Sequence, residues 1–203
     1  MKGITNMVKK IAVTGGIGSG KSLVMQCIRE LGYPVFSCDE IYKEISKTAD
    51  FTKKIKEFLP SCVRNDTIDR QALADIVFNN KEQLEILNKI SHPIIMDTLH
   101  KRMENCSCEI AFAEVPLLFE GGYEKDFHET IFVKRNLKER IRAIIQRDKT
   151  DEESALKRIH SQFDPESKEG QEKLKSTSVF ILDNNFDLNH IKSQLKICLE
   201  KHT

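Results

Sequence analysis

A chain of 203 residues, 39% hydrophobic and 31% charged, is long enough to bury one sizeable core and has the make-up of a soluble globular protein. Lys and Arg number 32 against 31 Asp and Glu, for a formal net charge of +1. That balance gives no support for a broad nucleic-acid or membrane surface and leaves room for a local basic cleft. No apolar run approaches the ~18 residues needed to span a bilayer, and the opening MKGITNMVKK lacks the apolar centre of a signal peptide. A cytoplasmic address is expected, and a monomer, with oligomers left open. The six cysteines (27, 38, 62, 106, 108 and 198) make no disulfide framework. Cys106 and Cys108 form a CxC with neither a second pair nor a His at zinc spacing, so reduced thiols, mostly small buried hydrophobes, are expected.

Residues 10–14, KIAVT, are a short continuous apolar run, the pattern of a strand buried on both faces. A helix follows over about 21–31, with Leu23, Val24, Cys27, Ile28 and Leu31 at helical spacing and Gly32 as its stop. Pro34 opens a second strand, PVFSCD, ending at Asp39. From there to about Arg102 the pattern is mainly helical. DEIYKEI, FTKKIKEFL, RQALADIVF and KEQLEILNKI each place apolar residues three or four apart, with Pro60 and Pro93 as punctuation. Strands return at 109–115 (EIAFAEV), 130–133 (TIFV) and 179–182 (VFIL). Helices are expected over 137–148, over 151–163 with Thr150 and Glu153 as a capping box, and over about 187–200.

Strands alternating with helical crossovers imply an α/β protein with a parallel sheet. The stretch 40–105 is too long and too helical for a simple crossover and reads as an inserted helical subdomain. The charged stretch 148–177 reads as a mobile helical lid. Segments 8–39, 106–147 and 178–203 then form the nucleotide-binding core of a single domain spanning 1–203.

Between the first strand and first helix lies TGGIGSGKS, residues 14–22, in which Gly15, Gly20, Lys21 and Ser22 fit GxxxxGK[ST]. Glycines let the backbone wrap closely around phosphates with its N–H groups inward, and the helix N-terminus adds partial positive charge. Gly15, Gly16, Gly18, Ser19, Gly20, Lys21, Ser22 and Leu23 are the expected nucleotide contacts. Lys21 would reach the β- and γ-phosphates, and the Ser22 hydroxyl would ligate Mg²⁺. A chance glycine turn would hardly sit in this strand–helix setting. The GTPase signatures DxxG and NKxD do not occur, and Glu114-Val115-Pro116 is a poor match to the Asp-Glu strand end of a motor ATPase. A small kinase using ATP is the best reading.

Several residues carry two readings each. Asp39, at the end of the second expected strand, can accept a proton from an acceptor hydroxyl or cap the following helix. Asp69 and Arg70 open a helix as a cap and a solvated cation, or face the acceptor. His92-Pro93 is a helix break or an acceptor contact. In VPLLFE, Val115, Leu117, Leu118 and Phe119 read as core or pocket wall, Pro116 turns the chain out of the strand, and Glu120 orients acceptor groups or faces solvent. Arg142, Arg147 and Arg158 are a solvated basic face or the cations of a lid closing over ATP.

VTGGIGSGKS, LGYPVFSCDEI, IDRQALADIVF, ISHPII, EVPLLFEGG, QRD, RIHSQ and ILDNN occur in this order over about 11–185. That series resembles the dephospho-coenzyme A kinase family. The resemblance implies a three-layer P-loop NTPase fold of the nucleoside-monophosphate-kinase type. It also implies ATP-dependent phosphorylation of the ribose 3′-hydroxyl of dephospho-CoA, the last step of coenzyme A synthesis. It makes Asp39, Lys21, Arg142 and Arg147 the catalytic candidates. Asp39, Asp69, Arg70, His92, Pro116, Leu117, Phe119 and Glu120 become the acceptor-side candidates. Gln162, Asn184 and Asn185 match the family without a role that residue chemistry supplies. This chain departs from the family pattern at Leu23, Ser37, Ala143 and Ser178-Val179; Ala143 takes the place of a lid arginine. A related kinase for another small alcohol, or a nucleotide sensor without phosphotransfer, would share the loop but not the acceptor motifs.

Overall fold

The computed structural model describes residues 7–201, and the chain divides into two compact units: residues 37–105, and the segments before and after them. The first six residues, part of the stretch read for a leader, and the last two, which close the expected core segment, lie outside the described residues. In chain order the elements begin with β1 (Lys9–Thr14), α1 (Lys21–Glu30), β2 (Val35–Ser37), α2 (Cys38–Ile45) and α3 (Ala49–Phe58). Then come β3 (Val63–Arg64), β4 (Thr67–Ile68), α4 (Arg70–Asn79), α5 (Lys81–Glu104), β5 (Ile110–Glu114) and β6 (Glu129–Lys134). The chain closes with α6 (Leu137–Asp148), α7 (Glu152–His160), α8 (Lys168–Lys175), β7 (Val179–Asp183) and α9 (Leu188–Glu200).

The main sheet has the order β2-β5-β1-β6-β7, and the pairs β5–β1, β1–β6 and β6–β7 are parallel. Period-two alternation sends Ile11, Val13, Phe112, Ile131, Val133 and Leu182 to one face. There they pack with Val24 and Ile28 of α1 and Ile191, Leu195 and Cys198 of α9. Alternation turns Ala12, Ala111, Ala113 and Phe132 to the other face, which explains why these strands read as continuous apolar runs. Helix α1 stops as expected: Gly32 takes φ 89°, its N–H donates to Arg29 O at 3.0 Å and Tyr33 N–H donates to Ile28 O at 3.3 Å. This is the double bond of a Schellman cap.

The 37–105 unit holds α2 to α5 and the β3–β4 hairpin. The hairpin was not expected. Its turn residues Asn65 and Asp66 have φ of 49° and 55°, the left-handed pair a two-residue hairpin needs. Pro93 does not break a helix: α5 runs through it for 24 residues. Leu87, Ile95, Met96, Leu99 and Met103 are buried along α5, and burial at about 25 cal/mol per Å² of apolar surface offsets the roughly 3 kcal/mol cost of an internal proline. Glu44 of α2 and Arg102 of α5 add a two-pronged ion pair.

Two further expectations need correction. The cap of α7 is Asp151, not Thr150: its carboxylate accepts Ser154 N–H at 2.7 Å, where an anion also meets the helix dipole. Cys106 and Cys108 are disulfide-bonded rather than reduced, since the bend after α5 brings their Cα atoms to 5.5 Å, within bonding range. Cys27, Cys38, Cys62 and Cys198 are buried and outside any disulfide, and burial pushes the Cys198 thiol up to about 12.

Candidate active site

Residues 15–20 leave the carboxyl end of β1, the central strand, and enter α1 at Lys21. Gly15, Gly18 and Gly20 adopt φ of 145°, 76° and 93°. Space forbids side chains as firmly as dihedral angle does. A Cβ on Gly15 would lie 2.5 Å from Val133 O, and one on Gly18 would lie 2.6 Å from Arg140 O. A Cβ on Gly20 would collide with the Asn184 side chain.

Four consecutive loop carbonyls accept from cations. Lys21 Nζ donates to Gly15 O at 2.8 Å and to Gly16 O at 3.4 Å. Arg140 Nε donates to Ile17 O at 2.9 Å, and Arg135 Nη1 donates to Gly18 O at 3.3 Å. Arg140 is half-buried; burial lowers its pKa, and Asp164 opposes that shift. A guanidinium keeps its proton through such a change. Two buried polar atoms beside the loop, Ser19 Oγ and Arg135 Nε, have no protein partner, as suits a site for an anionic, oxygen-rich ligand. A cavity of about 510 Å³ opens beside Gly16 and Ser19, and Lys134, Arg135, Arg140 and His160 bring positive charge or donors to its wall.

Chain segments far away in sequence hold the loop. Asn184, 7% exposed, donates from Nδ2 to Ser19 O at 2.7 Å. The Gln162 side-chain oxygen accepts Ile17 N–H at 2.6 Å. Asn185 accepts Asn136 N–H at 2.7 Å and so ties the start of α6 to the end of β7. These contacts supply what residue chemistry alone did not for the three side chains. Arg135 and Arg140 escaped the sequence reading, although their place just after the carboxyl end of β6, on the same sheet edge as the loop, was a usable signal.

Ser22 is exposed in the first turn of α1, and Leu23 beside it is 39% exposed. Among the described residues no cluster of three His, Cys, Asp or Glu could cage a metal. One hydroxyl next to a phosphate loop fits Mg²⁺, which keeps several waters and takes its other ligands from phosphate. Pro116, Phe119 and Glu120 line a small cleft with Gly15 and Gly16. Phe119 stacks on Phe163 with centroids 4.5 Å apart, and Glu120 accepts Phe163 N–H at 2.9 Å. Leu117 is half-buried in the same turn. Phe163 is thereby tied to the turn after β5, and the Lys173 ammonium also donates to Phe119 O.

The arginines expected in the lid are placed differently. Arg142 is exposed and paired to Glu139 at 2.6 Å. Arg147 and Arg158 converge on Asp148, and these bonds, Arg147's first, hold its carboxyl far below the usual range. Neither Arg142 nor Arg147 lines the 510 Å³ cavity.

In the 37–105 unit, β2 ends at Ser37 and Asp39 lies in the first turn of α2, exposed. It is neither a strand end nor the cap, because Ser37 caps the helix by accepting Glu40 N–H. Asp69 caps α4 by accepting Ala72 N–H at 3.0 Å. Arg70 donates to Ser46 Oγ at 3.4 Å at the edge of a cavity of about 290 Å³ whose wall includes Tyr42, Ile68, Leu73 and Leu87. His92 is half-buried on α5, which lowers its pKa, and it does not line that cavity.

A glycine loop on the central strand of this parallel sheet, closed by Lys-Ser at a helix N-terminus, makes the protein a P-loop kinase. Solved shikimate kinases from Acinetobacter baumannii (TM-score 0.55, 13% identity) and Bacteroides thetaiotaomicron (0.52, 15%) share the fold, each covering at least 96% of this chain and 94% of its own. Residues 9–190 match the model of the dephospho-CoA kinase family (CoaE), and the chain belongs to that family. Dephospho-CoA kinases of Thermus thermophilus and Fusobacterium nucleatum are 32% and 36% identical to it, over 95% and 89% of this chain and 91% and 92% of their own. A solved Thermus thermophilus structure superposes with TM-score 0.80 at 32% identity, covering 97% of this chain and 99% of its own. The dephospho-CoA kinase from Campylobacter jejuni gives 0.64 at 31%, covering 96% and 98%. Among the described residues no helix is long and apolar enough to cross a membrane.

Proposed function

We propose that the protein transfers the γ-phosphoryl group of ATP to the ribose 3′-hydroxyl of dephospho-CoA, giving CoA and ADP. The observation that carries this is the family match over 9–190, which spans both the phosphate loop and the acceptor segments. The loop and the cations on its carbonyls grip the triphosphate, and the nucleotide extends into the 510 Å³ cavity. The 3′-oxygen attacks the γ-phosphorus, the bond to the β–γ bridging oxygen breaks, and the hydroxyl proton passes to Asp39. Lys21 meets the charge on the transferred group, joined by Arg142 or Arg147 once either leaves its carboxylate partner. Ser22 would hold Mg²⁺, which when bound would supply charge neutralisation. Arg70 with Asp69, His92, and Pro116, Leu117, Phe119 and Glu120 serve the acceptor. A single chain is taken as the working unit, and the dependence on ATP suits a cytoplasmic address.

The test is ADP release with ATP, Mg²⁺ and a panel of alcohols, with each product weighed by mass spectrometry. Turnover of dephospho-CoA to CoA is expected. Turnover of another alcohol with no CoA formed would overturn the reading. Asp39→Asn is expected to lower kcat by about 10²–10⁴-fold with the KM for ATP unchanged; full turnover would remove Asp39 from the proton-accepting role.

A further inference from the structure

Ile17 is the one residue of the loop apex that carries a large side chain. That side chain leaves the loop and packs against the cluster formed by Ile141 and Ile144 of α6 with Ala155 and Ile159 of α7. Both of its backbone polar groups are held from outside the loop. Its N–H goes to the Gln162 side-chain oxygen at 2.6 Å, and its carbonyl takes Arg140 Nε at 2.9 Å. The residues on either side are glycines where α6 comes closest: Arg140 O would lie 2.6 Å from a Cβ on Gly18, and the Arg140 guanidinium occupies the place of a Cβ on Gly16. The apex is therefore seated in the α6–α7 pair by one apolar plug and two hydrogen bonds.

We infer that Gln162 is a positioning residue for the nucleotide site. By holding Ile17 N–H while α6 and α7 hold its side chain, it sets the loop curvature that aims the phosphate-binding N–H groups. Gln162 lies just past α7, so the arrangement of the 152–162 segment is transmitted to the loop through the peptide group and the side chain of one residue, Ile17. A loop that had to find this curvature on binding would spend ordering entropy at that moment and bind more weakly. The inference rests on the loop's binding a nucleotide, but not on which alcohol is phosphorylated.

The test combines Gln162→Leu, which removes the acceptor and keeps the bulk, with Ile17→Ala, which removes the plug and keeps the N–H. Steady-state KM values for ATP and dephospho-CoA are measured with the calorimetric Kd for ADP. Loss of one hydrogen bond to a part-buried N–H predicts about a tenfold rise in the ATP and ADP constants in Gln162→Leu, with the KM for dephospho-CoA within about twofold. Ile17→Ala should raise the same two constants. The double variant should be no worse than the poorer single, because both act on one loop geometry. Unchanged nucleotide constants in Gln162→Leu would overturn the inference. So would a double variant equal to the product of the singles, or a lowered melting temperature with both KM values moved alike. Because ADP binding is read without acceptor, a protein that binds ADP normally but makes no CoA would sink the proposed reaction and leave this inference standing.

Discussion

Two groups of cations stand in the larger unit, and they are held in opposite ways. Lys21, Arg135 and Arg140 donate to the carbonyls of residues 15–18. Glu139 approaches Arg135 only to 3.9 Å. Further along α6 and on α7, Arg142, Arg147 and Arg158 are bonded to carboxylates, Glu139 and Asp148. A carbonyl fixes a cation's position without cancelling its charge, whereas a carboxylate does both. The first group offers net charge to a phosphate; in the second, Arg158 ties α7 to α6 through Asp148, and all three offer little until their carboxylates are displaced.

The difference can be broken from the loop end. Lys21→Ala removes the only one of these cations that belongs to the loop–helix motif, and kcat/KM should fall by about 10²–10³-fold, the scale of losing one preorganised charge-stabilising donor; retention of a tenth of the activity would contradict it. Arg140→Ala should raise the KM for ATP by about tenfold, since a charge-assisted hydrogen bond and a fixed cation are both lost. Arg142→Ala, at an exposed pair worth little, should change it by less than about twofold. If the two arginines exchange these effects, Arg142 leaves Glu139 to serve the nucleotide, and the contrast fails at that residue.

The smallest effect concerns Asp148. Pairing with Arg147 and Arg158 lowers its folded-state pKa. Its contribution is thus present above the ordinary aspartate value of about 3.9 and is lost as pH falls through the lower folded one. Thermal melts of wild type and Asp148→Asn should differ by a constant amount above about pH 5, with wild type the more stable, and converge toward pH 2.5. A gap that widens on acidification would contradict this pairing.

The same contrast explains which parts could be read from sequence. The loop was legible because its chemistry is local: a buried strand, glycines at fixed intervals and Lys-Ser at a helix start lie within a few consecutive turns of chain. The inner strands β1, β5 and β6 were legible for a similar reason, since burial on both faces leaves a continuous apolar signature. Arg140, Gln162 and Asn184 act on the loop from 123, 145 and 165 residues away, through backbone atoms that no side-chain pattern marks. Pro93 misled because long-range packing outweighed local propensity. The Asn65-Asp66 turn was overlooked because two-residue strands are too short to alternate. Asp39 was assigned to a strand end because Pro34 and the apolar Val35-Phe36 pair open a strand-like run, while Ser37, a good cap, starts α2 two residues sooner.

The account's central claim is that the grip on triphosphate is directed to one hydroxyl of one acceptor. The most direct measurement is the position of the transferred group, read by mass and by phosphorus and proton NMR on the product made from ATP and dephospho-CoA. The account predicts a single new phosphomonoester on the ribose 3′-oxygen and a product indistinguishable from CoA. Phosphate on any other oxygen, or ATP consumed with dephospho-CoA recovered unchanged, would contradict it.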